Sequence, residues 1–261
     1  MTIIPAVVPP LPREKRWDRG LTAGMAVRWL ADGWRDFRTV PGPSLVYGGL
    51  IFLLSGTIVG GLFVFGWDYV LFPALAGFMV VGPILAVGLY EKSRLLAAGK
   101  GVSLARMVFV RPASGPQILF TGVLLLLLML LWMRAAVIVY ALFFGLRPFP
   151  GLAHIVPMLL GTPVGWAMLM VGSVVGALFA AFSFAISIFA VPMLLDQRVD
   201  ALTAMGSSIA FVWHNISALL AWGAIVLGLT LVSLATGLVG LIVIFPVLGH
   251  GTWHAYRAIQ R

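Results

Sequence analysis

The stretch QILFTGVLLLLLMLLWMRAAVIVYALFF, Gln117 to Phe144, carries a single charge, Arg134. A helix crossing a bilayer needs about 20 predominantly apolar residues, and this run exceeds that. Working outward, four more such runs appear. Ser44 to Phe65 is followed by a turn at Gly66-Trp67-Asp68 and then by Val70 to Tyr90, which stops at Glu91-Lys92-Ser93-Arg94. Val164 to Leu195 stops at Asp196. The last run, Ile216 to Leu248, would reach roughly 50 Å as one helix, against a hydrocarbon core of about 30 Å. It is split here near Thr236-Gly237; a single tilted helix, giving five spans, is the alternative. The expectation is an all-α polytopic membrane protein with six transmembrane helices in three hairpins. The spans are placed at about 44–65, 70–90, 117–144, 164–195, 215–235 and 238–257, in one membrane domain (21–261) behind a Pro/Arg-rich tail (1–20).

Composition agrees. Of 261 residues, 61% are apolar and 10% charged, against about 45–50% and about 25% in soluble domains. No single soluble core hides that much apolar surface. A cytosolic enzyme, a nucleic-acid-binding domain and a disordered chain are excluded. The chain has no cysteine, which removes disulfides, thiolate metal sites and cysteine nucleophiles. Prolines 5, 9, 10 and 12 interrupt the first apolar stretch, and the basic residues follow it, so it does not read as a signal peptide.

The net charge of +9 is explained by topology. With six spans, fifteen of the seventeen basic residues fall on one side: Arg13, Lys15, Arg16, Arg19, Arg28, Arg35 and Arg38; Lys92, Arg94, Lys100, Arg106 and Arg111; Arg198; Arg257 and Arg261. Arg147 lies opposite and Arg134 within a span. The positive-inside rule makes both termini cytoplasmic, facing an anionic leaflet and no nucleic acid.

Each hairpin is preceded by a short amphipathic segment. In Leu21 to Phe37, residues Ala26, Trp29, Leu30, Gly33 and Phe37 share one face, and Arg28, Asp32, Arg35 and Asp36 the other. This predicts a cytoplasmic interfacial helix with its aromatic side in the membrane. Leu202, Met205, Ile209 and Val212 repeat the pattern opposite Thr203, Ser207 and His214; 102–111 shows it weakly. Each inward helix carries a proline (Pro83, Pro192, Pro246) before a polar end. Two readings are open: hinges around a cytoplasmic vestibule, or the ordinary tolerance of membrane helices for proline.

Four separated motifs carry a resemblance. They are Trp29-Leu30-Ala31-Asp32-Gly33-Trp34-Arg35-Asp36-Phe37 with Pro43 to Gly48; Gly82-Pro83 with Gly88 to Arg94; Pro192 to Asp196; and Pro246 to Arg257. Over about 25–257 the chain resembles a bacterial family of integral membrane proteins, domain of unknown function 2189. Some members are labelled cytochrome c oxidase subunits. The resemblance implies a bacterial inner-membrane protein and no activity. Four histidines are too few for a haem–copper catalytic subunit, so the label leaves only an accessory one.

Candidate residues follow from position. Asp196, His214, His250, His254, Glu91 and Tyr90 fall at the cytoplasmic ends of helices and are expected to converge there. The i, i+4 spacing of His250 and His254 puts both on one face. A hydrogen-bonded staple, a metal site or a haem site would each use these groups; the staple is the expectation, with no cofactor. Gly56-x-x-x-Gly60 and Gly172-x-x-x-Gly176 allow close helix approach, within the chain or at a homodimer or partner-subunit seam. Arg134 sits toward the outer boundary, where it snorkels or meets Asp68 or an anion. No catalytic constellation appears. The leading expectation is a nonenzymatic accessory, assembly or scaffold subunit of a bacterial membrane complex, a respiratory one included. The alternatives are a carrier or pore for an uncharged or lipid-like molecule, and a haem- or metal-binding protein.

Overall fold

In hydrocarbon each backbone N–H and C=O must find a partner within the protein, so a single apolar run forms a helix. The computed structural model describes residues 17–145 and 149–260. Arg13, Lys15, Arg16, Arg147, Arg261 and most of the expected tail lie outside them. Among the described residues there are twelve α-helices and no strand. They are α1 (Gly24–Arg38), α2 (Pro41–Val64), α3 (Leu71–Leu85), α4 (Val87–Ala97), α5 (Leu104–Val108), α6 (Gly115–Phe144), α7 (Leu152–Gly161), α8 (Pro163–Ser187), α9 (Ala190–Asp196), α10 (Ala201–His214), α11 (Ile216–Ala235) and α12 (Leu241–Gln260). A 3₁₀ turn, Asp68–Val70, leads into α3.

Among the described residues, five segments are long and apolar enough to cross a membrane: Pro41–Val64, Asp68–Ala97, Gly115–Phe144, Pro163–Asp196 and Ile216–Ala235. The long final run is two helices. It breaks at Gly237 (φ 63°) and Leu238 (φ 71°), and the Thr236 hydroxyl accepts from the Gly240 N–H at 3.0 Å. α12 is apolar only from Leu241 to Gly249; the rest holds His250, His254, Arg257 and Gln260.

Neighbouring helices alternate in direction. Trp222 of α11 lies over Gly251 of α12, and Ser233 beside Gly240. Gly48 of α2 meets Ile242, and Ser44 meets His250. Trp132 of α6 faces Gly176 of α8 and donates to the Pro73 carbonyl of α3 at 2.9 Å. The turns at Gly66, Gly145 and Gly237 thus share one side, called the turn side here.

Prolines and cross-helix hydroxyls explain two breaks. Past Pro83, the Leu89 N–H bonds Ala86 rather than Leu85, and the Tyr47 hydroxyl donates to the freed Leu85 carbonyl at 2.7 Å. Between α8 and α9, the Ser208 hydroxyl accepts from the Phe189 N–H at 3.2 Å and donates to the Ala185 carbonyl at 2.7 Å. Such side chains keep an interrupted helix satisfied in a membrane.

The interfacial expectation for α1 needs correcting. Ala26, Trp29, Gly33 and Phe37 are buried in the protein, and Trp29 meets Trp222 edge-on at 6.0 Å. The polar half of α12 needs covering, and α1 covers it. The crossing is close enough that a Cβ on Gly33 would lie 2.5 Å from the Val247 carbonyl and 2.6 Å from the Gly251 nitrogen. Trp34 and Arg35 stay exposed. In α10, Met205 and Val212 are buried as expected, but Leu202 and Ile209 are exposed. Ala204 and Ser208 take the inner face instead, since small residues let α10 approach the α8–α9 break.

Candidate functional site

A buried polar network lies where α1, α2, α4 and α12 meet. Its centre, His250, is fully buried. Its Nδ1 lies 3.1 Å from the Leu89 carbonyl, which can only accept, so Nδ1 carries the ring hydrogen. The Ser93 hydroxyl is 2.9 Å from the same nitrogen. On the other edge, the Ser44 hydroxyl donates to Nε2 at 3.1 Å. Ser44 in turn accepts from the Lys92 ammonium at 2.8 Å. Lys92, also fully buried, donates further to the carbonyls of Val40 (3.0 Å) and Phe37 (3.5 Å). Its ammonium therefore caps the end of α1 and pins the corner into α2, where Val40 has φ 54°.

The network continues to the rim. There His254 Nε2 lies 2.8 Å from Asp36 Oδ2. Burial pushes the Asp36 carboxyl up, but the bond from His254, the polar Ser93 side chain and the nearby imidazoles outweigh it and hold it below the usual carboxylate range. Each of these groups has a partner in the protein. The arrangement acts as a lock between four helices.

A second cluster sits across α12. Tyr256 donates to Asp196 at 3.1 Å, Arg257 lies 3.9 Å from the same carboxylate, and Gln197 donates to the Tyr256 oxygen at 3.0 Å. Arg94 ties α4 to the end of α9. It pairs with Glu91 at 2.7 Å and donates to the Leu195 carbonyl at 2.9 Å. Asn215 holds the segment before α1, accepting from the Arg19 N–H and donating to the Trp17 carbonyl, both at 3.0 Å.

The expected rim residues therefore divide. His250 and His254 join one network, Asp196 the second, and Glu91 pairs with Arg94. Tyr90 lies in the apolar core. His214 joins none of these; it is exposed and bonds back to the Ala210 carbonyl at 2.7 Å. Among the described residues, no group of three or more His, Asp or Glu side chains is arranged as a metal site. Lys92, Ser93, Ser44 and Asp36 complete the lock, and sequence reasoning assigned none of them to it. The one available signal was that all lie in the motifs carrying the family resemblance. Gly172 and Gly176 pack on α6, against Val139 and Trp132, whereas nothing lies within 4 Å of a Cβ built at Gly56 or Gly60. Arg134 is exposed and, among the described residues, neither bonds nor pairs with Asp68.

A cavity of about 720 Å³ opens between α3, α6, α7 and α8, within the size range of ligand pockets. Its lining includes Phe72, Met79, Trp132, Val139, Phe179 and Leu227 and, among the described residues, no charged one. Tyr69 and Phe72 on its rim are exposed, so it is a cleft facing the surroundings of the bundle.

These features define a helical, multi-pass integral membrane protein with a locked polar end and an uncharged lateral cleft. Residues 71–196 match the family described as predicted integral membrane protein, domain of unknown function 2189. No curated protein and no solved structure matches the chain.

Proposed function

We propose that this protein is a carrier or binding site for an uncharged, lipid-like molecule, which it takes from the bilayer into the α3–α6–α8 cleft. The observation that supports this is a cavity of about 720 Å³ whose described lining residues carry no charge, set among membrane-crossing helices. An apolar ligand leaves no charge unpaired there, while an ionic substrate would lose its hydration without compensation. In this reading α12 crosses as a sixth span in a bacterial inner membrane, with both termini cytoplasmic. The locked end holds the bundle while the turn-side half admits the ligand. The test is extraction and mass analysis of lipids retained by the purified protein. A defined lipid should be retained by the natural chain and lost when Ala76→Trp or Ala177→Trp fills the cleft. Equal retention by all three would refute the reading.

A second reading, an accessory or scaffold subunit of a larger complex, respiratory or otherwise, draws on Gly56 and Gly60. Both face open space, as a seam for another helix requires. Gly56→Leu should then release a stoichiometric partner on gentle purification while leaving the isolated chain equally stable. Retention of that partner would count against the seam.

A further inference from the structure

We infer that the cleft is built for a neutral, single-tailed lipid lying with its head toward the turn side and its tail toward the centre of the bilayer. This rests on the reading of the cleft as a ligand site and specifies the ligand's class and direction.

Depth is the first argument. From Tyr69 in the 3₁₀ turn to Val80 in α3 the lining spans a rise of about 16 Å at about 1.5 Å per residue. That is about half of a hydrocarbon core of roughly 30 Å, or one leaflet. Tyr69 lies just after the Gly66 turn, so the cleft starts at the membrane boundary and ends near the middle.

Polarity along that depth is the second argument. The hydroxyl-bearing lining residues, Tyr69, Tyr140 and Ser173, belong to the turn-side half. Antiparallel packing fixes this, because Val139 lies beside Gly172 and Trp132 beside Gly176, one level deeper. Below Trp132 the lining is Met79, Val80, Phe179 and Ala180, with no polar side chain. A ligand with hydroxyl or ester groups at one end and hydrocarbon at the other matches this gradient. The absence of any charged residue among the described lining residues selects a neutral head over a phosphate or carboxylate.

Width is the third argument. The Trp132 ring lies where a Cβ on Gly176 would come within 3.0 Å. The slot between α6 and α8 is pinched there, and the same ring donates to the Pro73 carbonyl of α3 at 2.9 Å, so the constriction favours one chain over two.

The experiment uses the full chain in lipid nanodiscs and a long-chain monoacylglycerol with a photoactivatable diazirine at the methyl end of its tail. After irradiation, digestion and mass analysis, adducts are expected at Met79–Val80 or Phe179–Ala180. Unlabelled monoacylglycerol should compete, and phosphatidylglycerol and oleate should not. Ala76→Trp and Ala177→Trp, from opposite walls, should each cut the yield about tenfold, equivalent to about 1.4 kcal/mol. Tail adducts at Tyr69 would overturn the direction. Equal competition by phosphatidylglycerol or oleate would overturn the neutral class while leaving the cleft as a ligand site. No lining adduct from this probe or from a diazirine-bearing phosphatidylglycerol would overturn both.

Discussion

Replacing Lys92 with methionine isolates what the buried ammonium does, because the two side chains are of similar length and little cavity is created. The substitution removes donors to Ser44, Val40 and Phe37. Ser44 keeps its bond to His250. The Phe37 carbonyl, at the end of α1, loses a long bond of 3.5 Å, and the Val40 carbonyl a good one. A buried polar group left unpaired costs about 1–3 kcal/mol. Part of that is returned because methionine carries no desolvated charge. The Val40 carbonyl is only partly buried, so the net loss is about 1–3 kcal/mol, and α1 bears most of it. At about 2–4 °C per kcal/mol for a chain of this length, the unfolding midpoint in detergent should fall by about 2–12 °C. Amide hydrogen exchange across 24–38 should accelerate more than exchange in α6 or α8, because local openings draw on local contacts. An unchanged midpoint together with unchanged exchange in α1 would refute the lock.

Three further predictions concern the same architecture. Asp36 has a folded-state pKa below its unfolded value, so its contribution is present above about pH 4 and is lost as pH falls through the folded value; Asp36→Asn should flatten the acid limb of stability against pH, and an identical slope in both proteins would contradict the pairing. Gly33→Leu places side-chain atoms where a Cβ already meets the Val247 carbonyl at 2.5 Å; it should cost at least about 1–3 kcal/mol and expose residues 24–38 to protease, and a natural midpoint would show that α1 does not seat there. A reporter active only outside the cytoplasm, fused after Gln260, should stay inactive if α12 completes a sixth crossing, and activity would support five.

The sequence made the helical membrane class legible because a bilayer imposes length and apolarity on each segment separately. Gln117 to Phe144 differs from α6 by two residues at one end, and the break at Thr236-Gly237 was readable from length alone. What escaped was set between segments. Glu91-Lys92-Ser93-Arg94 looked like a charged stop at the membrane surface. The helix continues to Ala97 and folds Lys92 and Ser93 under α1 and α12. Hydropathy does not distinguish a charge in water from a charge with three protein acceptors. Asp36 was assigned to a solvated face for the same reason. The glycine spacing found Gly172 and Gly176, which do pack, and Gly56 and Gly60, which do not pack within the chain. The closest approaches between separate segments involve Gly48, Gly88, Gly33 and Gly251, which stand in no such motif. The cleft has no local signature, because its walls come from α3, α6, the α7–α8 pair and Leu227 of α11, which are separated in the chain.

The most direct test of the account is an electron-microscopy structure of the full chain in a lipid bilayer. Elongated density is expected in the cleft between α3, α6 and α8, starting beside Tyr69 and ending near Val80, one leaflet deep. A cleft closed by contact of those helices, or filled by the chain's own side chains, would contradict it.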